Sequence, residues 1–112
     1  MRARNYQEQI TGRQGQAFLR NGVKFDGFDA QTGALLEAKG PGYANFLDED
    51  GNWKAWFESS GGVRALEDQA KNQLKAAGGS PVIWHVAEEN AANAIRDLVK
   101  DFGIKVVFTP PI

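Results

Sequence analysis

Glu37 and Lys39 stand two residues apart, and two further carboxylates, Asp26 and Asp29, precede them in the same stretch from Asn21 to Lys39. Carboxylates hold hard divalent cations, and an ammonium beside them offsets negative charge. These residue types suit metal-assisted hydrolysis of a phosphodiester: Asp26 and Glu37 would hold Mg²⁺ or Mn²⁺, and the metal would polarise the phosphate and acidify a bound water. Lys39 would orient that water or offset charge on the pentavalent transition state. Glu37-Ala38-Lys39 is the only acid-x-Lys triplet in the chain, but about one is expected by chance in a sequence of this composition. The triplet gains weight from what must position it.

The elements around it read as a β-hairpin. Val23 to Asp29 alternates as a strand, Ala30 to Gly33 carries turn chemistry, and Ala34 to Lys39 is a second strand stopped by Gly40-Pro41-Gly42. Strand period places Leu35, Glu37 and Lys39 on one face. With Gln31-Thr32 as the tight loop, Asp26 falls directly opposite Glu37 on that face, where Cβ atoms lie about 4.5–5.5 Å apart, the spacing two ligands of one cation need. Asp29 reaches that face only in a shifted register, and then stands roughly 13 Å along the strand. Asp26 is therefore the expected partner.

Before the hairpin, Arg4 to Gly12 reads as a short helix with Tyr6 and Ile10 on one face and Glu8 as its acid. Gln16 to Arg20 reads as a first strand, and Asn21-Gly22 as a type I′ turn, so a three-stranded antiparallel meander is expected. Gly40 to Gly62 lacks periodicity but holds Tyr43, Phe46, Trp53, Trp56 and Phe57. The last three share a helical face at i, i+3 and i+4, which favours packing on the sheet over a flap that stacks on bases or meets a partner. Asp48-Glu49-Asp50-Gly51 lacks the ligand pattern of a calcium loop and reads as a solvated turn.

Val63 to Ala77 is predicted helical, with Val63, Leu66, Ala70, Leu74 and Ala77 as a core stripe. Gln73 projects about 20° outside that stripe and Gln69 about 60°, so Gln73 is a near-buried polar side chain that needs a partner. Pro81 to Ala87 is a near-continuously apolar strand, hence central. Its His85, the lone histidine, reads as a satisfied sheet residue rather than a metal ligand. Glu88 to Phe102 is the clearest amphipathic helix, and Ile104 to Thr109 a last strand. Strand, helix, strand calls for a right-handed crossover and parallel pairing, so the sheet is mixed.

At 112 residues the chain is one domain, 1–112, with no internal repeat and no run long enough to span a membrane. The absence of cysteine excludes disulfide and thiolate-metal frameworks. No signal peptide is legible at Met1 to Ile10, so an exported protein would carry its address elsewhere. A net charge of −1 argues against binding nucleic acid by bulk electrostatics. The charge is uneven, however: residues 1–24 carry Arg2, Arg4, Arg13, Arg20 and Lys24 against Glu8, while residues 26–68 are mainly acidic. A basic edge beside an acidic centre suits a metal nuclease, and equally a surface of mixed charge.

The runs Asn-Gly-Val-Lys-Phe-Asp-Gly-Phe-Asp, Leu-Leu-Glu-Ala-Lys-Gly-Pro-Gly-Tyr and Pro-Val-Ile-Trp-His-Val-Ala-Glu-Glu resemble the fifth family of restriction-endonuclease-fold toxin domains. These are C-terminal warheads of bacterial polymorphic toxins and type VI secretion effectors. The resemblance runs from about Tyr6 to Pro111. It implies a PD-(D/E)xK nuclease with an α/β (α+β) restriction-endonuclease-like core in the order α-β-β-β-α-β-α-β. Asp26 takes the aspartate position, and Glu37 and Lys39 the ExK position, while Phe25 stands where the superfamily name has proline. It further implies Glu8 as a third metal ligand, Gln73 and Gln69 as groups orienting Lys39, water or phosphate, and DNA cleavage with Mg²⁺ in the cytoplasm of a target bacterium. A cognate immunity protein is the implied partner in the producer, and a homodimer would let two sites cut both strands. Two other readings remain: a ribonuclease of the same fold, and a non-catalytic module that binds protein through its aromatic segment.

Overall fold

The computed structural model describes residues 3–12 and 17–112. Helix α1 (Ala3–Thr11) is followed by strands β1 (Phe18–Arg20), β2 (Val23–Phe25), β3 (Gly27–Asp29) and β4 (Ala34–Lys39). A 3₁₀ turn at Tyr43–Phe46 and the short helix α2 (Ala55–Ser59) lead to α3 (Gly62–Ala77), β5 (Val82–Val86), α4 (Glu89–Val99), a second 3₁₀ turn at Lys100–Phe102, and β6 (Lys105–Phe108).

A four-stranded sheet in the order β3-β4-β5-β6 organises the molecule. The β3–β4 pair is antiparallel and the two following pairs are parallel, so the sheet is mixed. The two parallel steps are those that need helical crossovers, and α3 and α4 supply them. Their apolar stripes, Leu66, Ala70 and Ala77 from α3 and Ala91, Ala92, Ile95 and Val99 from α4, meet Leu35, Val82, Trp84 and Val86 of the sheet in one core. Helix α1 packs on β3 and β4, on the face that carries Gly27. A Cβ added at Gly27 would lie 2.7 Å from Thr11 Cγ2, so α1 comes this close only because residue 27 has no side chain.

The expected hairpin register is the observed one. Gly27, Phe28 and Asp29 pair with Leu36, Leu35 and Ala34, although the loop is the wider turn Ala30–Gly33. The predicted strand from Val23 to Asp29 is not continuous. The chain bends at Asp26, and the residues before it pair with β1 as a separate two-stranded ribbon. The expected three-stranded meander is thus corrected to a ribbon followed by the β3–β4 hairpin. Alternation looks the same on either side of a bend, which is why periodicity ran through it.

The Asn21-Gly22 turn forms as read, with φ of 51° and 80°. Asn21 Nδ2 also donates to Ala76 O at 2.7 Å, which ties the ribbon to the end of α3. Gln16, the predicted start of the first strand, lies outside the described residues, as do Arg2 and Arg13 of the expected basic edge. Arg20 is committed structurally: its guanidinium lies over Phe18 and Phe28 and donates to Ser80 Oγ.

The aromatic segment packs internally, but not as one helical turn. Trp53 lies before α2, bridged to Leu47, and stacks on Phe57 with centroids 5.4 Å apart. Phe46 also stacks on Phe57, at 4.2 Å. Trp56 remains 55% exposed. The acidic turn is solvated as expected, with Asp48 Oδ1 accepting the N–H of Asp50 and of Asn52.

Candidate active site

Strand β4 is an interior strand of the sheet, and its Glu37 and Lys39 meet side chains of α3. Glu37 is 8% and Lys39 5% exposed, and Gln73 on the facing helix is 1% exposed. Strand period sends both charged groups to the helix-covered side of the sheet, and helical period brings Gln69 and Gln73, four residues apart, above them. Every buried polar side-chain atom among the described residues is satisfied.

The contacts form one network. Lys39 Nζ donates to Gln69 Oε1 and lies 3.4 Å from Glu37 Oε2. Gln69 Nε2 donates to the same Glu37 oxygen at 2.8 Å. Gln73 Nε2 donates to Glu37 Oε1 at 3.1 Å, and the indole N–H of Trp84 donates to Gln73 Oε1 at 2.8 Å. The Lys39 ammonium also sits 4.7 Å from the Trp84 ring and 5.8 Å from that of Tyr43. Glu88 holds the loop that carries Tyr43, its Oε1 accepting the N–H groups of Gly42 and Ala44 at 3.1 and 2.9 Å.

Asp26 joins from the bend between β2 and β3. Its Oδ2 accepts the Ala38 N–H at 2.8 Å, so a backbone donor of β4, between the two charged residues, fixes this carboxylate. Asp26 is near enough to oppose ionisation of Glu37. Burial pushes the Glu37 carboxyl above the usual glutamate range, the Lys39 ammonium pulls it back, the Asp26 charge raises it again, and the N–H groups of Gln73 and Gln69 lower it.

Asp26, Glu37, Lys39, Gln69 and Gln73 therefore meet in one place. Asp29 does not join them: its Oδ1 accepts the Gln31 N–H in the turn. Glu8 lies half-buried on α1, and no group of three His, Cys, Asp or Glu side chains able to hold a metal ion occurs among the described residues. His85 points away from the site, its Nδ1 2.9 Å from Thr109 Oγ1, and burial lowers its pKa. Sequence reading missed two participants, Trp84 and Glu88. The clue to Trp84 was a lone indole N–H in an apolar central strand, which must find a partner.

The Asp26 and Glu37 carboxylates are oxygen donors of the kind a hard divalent cation selects, while the Lys39 ammonium is no ligand and can only offset charge beside them. Glu37, raised by burial, is also a group whose ionised form such a charge would favour. A cavity of about 570 Å³ lies elsewhere, lined by Asp48, Glu49, Asp50, Trp53 and Asp97. Its acidic wall repels a polyanion.

A mixed sheet flanked by helices, with a carboxylate at a strand bend and an acid-x-Lys pair on the next strand, is a restriction-endonuclease-like fold. Residues 3–89 match the family model described as restriction endonuclease fold toxin 5. The chain belongs to that family of toxin domains. No curated protein matches it. No helix among the described residues is long and apolar enough to cross a membrane.

Proposed function

We propose that this domain is an antibacterial deoxyribonuclease that hydrolyses phosphodiester bonds at Asp26, Glu37 and Lys39 with a divalent metal. The observation that carries this reading is the burial of a carboxylate and an ammonium together in the core of a small domain. Such a pair contributes little to stability, because the desolvation of both charges offsets their attraction. Clusters of this kind mark functional sites.

Asp26 and Glu37 would hold Mg²⁺ or Mn²⁺, which when bound supplies Lewis-acid polarisation of the scissile phosphate. Lys39, held in place by Gln69 and Glu37, provides a fixed positive charge for the phosphorane as it forms. Water attacks phosphorus, the bond to the leaving oxygen breaks, and that oxygen takes up a proton. Asp26 and Tyr43 are half-exposed while Glu37 and Lys39 are covered, so the phosphodiester approaches past the first pair to reach the second. Membership of a toxin family supports delivery as an effector into the cytoplasm of a target bacterium, and a cognate immunity protein in the producer.

The test is incubation of the purified protein with supercoiled plasmid, linear DNA and total RNA, with Mg²⁺ or with EDTA, beside Glu37→Ala. Metal-dependent loss of DNA with an inert variant is the expected result. Cleavage of RNA alone would keep the site and change the substrate. A folded protein that leaves all nucleic acid intact would overturn the reading.

A further inference from the structure

We propose that Trp84 is a positioning residue: through Gln73 it fixes the orientation in which Glu37 is held at the site, an inference that rests on the hydrolase reading above. Trp84 is fully buried and lies directly beside Glu37 in the parallel β4–β5 register. The line of hydrogen bonds from Trp84 Nε1 to Gln73 Oε1 and from Gln73 Nε2 to Glu37 Oε1 has a polarity that the chemistry dictates. An indole N–H can only donate. The amide oxygen of Gln73 must therefore face Trp84, and its NH₂ must face Glu37. A reversed amide would set donor against donor at one end and oxygen against carboxylate oxygen at the other, with both ends shut away from water.

The second glutamine is held differently. Gln69 touches Lys39 with its oxygen and Glu37 Oε2 with its nitrogen, so its orientation follows from two charged groups that also face the substrate. The Trp84–Gln73 arm is neutral and belongs to the scaffold. It holds Glu37 Oε1 in place whatever happens to Lys39 during turnover, which is what a support behind a reacting group does.

A core tryptophan whose N–H merely needed an acceptor would also bond Gln73, and the two roles separate kinetically. Trp84→Phe keeps an aromatic ring at this buried position and removes the N–H together with part of the bicycle, so the spectra also check that the core remains folded. The measurements are plasmid-cleavage kinetics with Mg²⁺ for wild type, Trp84→Phe, Gln73→Met and the double variant, with ¹H–¹⁵N spectra of each without nucleic acid. Expected are a fall in kcat of about tenfold in Trp84→Phe, roughly the worth of one such hydrogen bond, and KM within about twofold. Gln73→Met should lose as much or more, and the double variant should lose no more than Gln73→Met alone, because the Trp84 N–H acts only through that residue. The side-chain NH₂ resonances of Gln73 should shift in Trp84→Phe.

Multiplying losses in the double variant, a loss confined to KM, or an unmoved Gln73 amide pair would each overturn the proposal. If Trp84→Phe does not fold, Gln73→Met decides, and an unchanged kcat there overturns it. If wild type cleaves no nucleic acid, the function proposed above fails, while the Gln73 resonances still decide whether Trp84 sets that amide.

Discussion

Glu37 occupies a position where a carboxylate is costly, and Lys39 is the group that makes it tolerable. Removing one member of a buried pair leaves the other charge without compensation, a loss of about 3–5 kcal/mol. Lys39→Met, which keeps the bulk, should abolish cleavage and lower the unfolding free energy by about 3 kcal/mol at pH 7. The pH dependence has a definite sign. The folded-state pKa of Glu37 lies above its unfolded value near 4.5, so stability falls as pH rises through the interval between the two. Without Lys39 the folded value moves higher still, and the interval widens. Denaturant titrations of variant and wild type should therefore diverge most at neutral pH and converge as pH falls toward 4.5 and Glu37 takes up its proton. A stability gap independent of pH would show that Glu37 does not sense Lys39. At this scale the sequence was most informative where two periodicities crossed: strand period put Glu37 and Lys39 on one face, and helix period put Gln73 almost inside the core. It signalled that the Trp84 N–H needs an acceptor but not which one, because the bond to Gln73 depends on which strand lies beside β4, a pairing between distant segments.

Two elements are held by contacts that single substitutions can probe. Gly62 opens α3 against the aromatic cluster, and a Cβ there would stand 2.3 Å from Phe57 Cε1. Alanine would gain about 1 kcal/mol in helix propensity, yet displacing a ring stacked with both Phe46 and Trp53 costs about 1–3 kcal/mol. Overpacking should win, and Gly62→Ala should melt below wild type; a higher Tm would show that the cluster yields freely. The loop after β4 depends on Glu88. Glu88→Ala removes the acceptor of two backbone N–H groups and should cost about 1–3 kcal/mol, with faster hydrogen exchange at Gly42 and Ala44. Glu88→Gln keeps an acceptor oxygen and should restore most of the protection. Element order, the mixed sheet and the β3–β4 register were legible because hydrophobic period, turn residues and crossover rules all acted locally. The break at Asp26 was not, since it arises where β2 leaves the sheet to pair with β1, and neither half of the run loses its alternation.

For the whole molecule, the family match ends at residue 89, but the core does not. Ile95, Val99, Ile104 and Val106 are buried against the sheet, and β6 covers the edge that β5 would otherwise expose. A chain cut after residue 89 should lose cooperative melting and spectral dispersion; a folded product would show that β3, β4 and β5 suffice. The N-terminal helix is bound to the opposite end of the sequence. Tyr6 is fully buried, with its phenol donating to Thr109 O at 2.8 Å and its pKa pushed up to about 12 by burial. Gln9 reaches Pro110 O and Ile112 N. Synthesis from the ribosome gives that arrangement a temporal meaning. The first helix can rest on β3 and β4 early, but its Tyr6 and Gln9 hydrogen bonds wait for Thr109, Pro110 and Ile112, and β4 gains its parallel neighbour only after Trp84 has been added. A nascent chain therefore carries its acidic pair in an unfinished sheet, and the constellation around Glu37 closes only once Trp84 has been added.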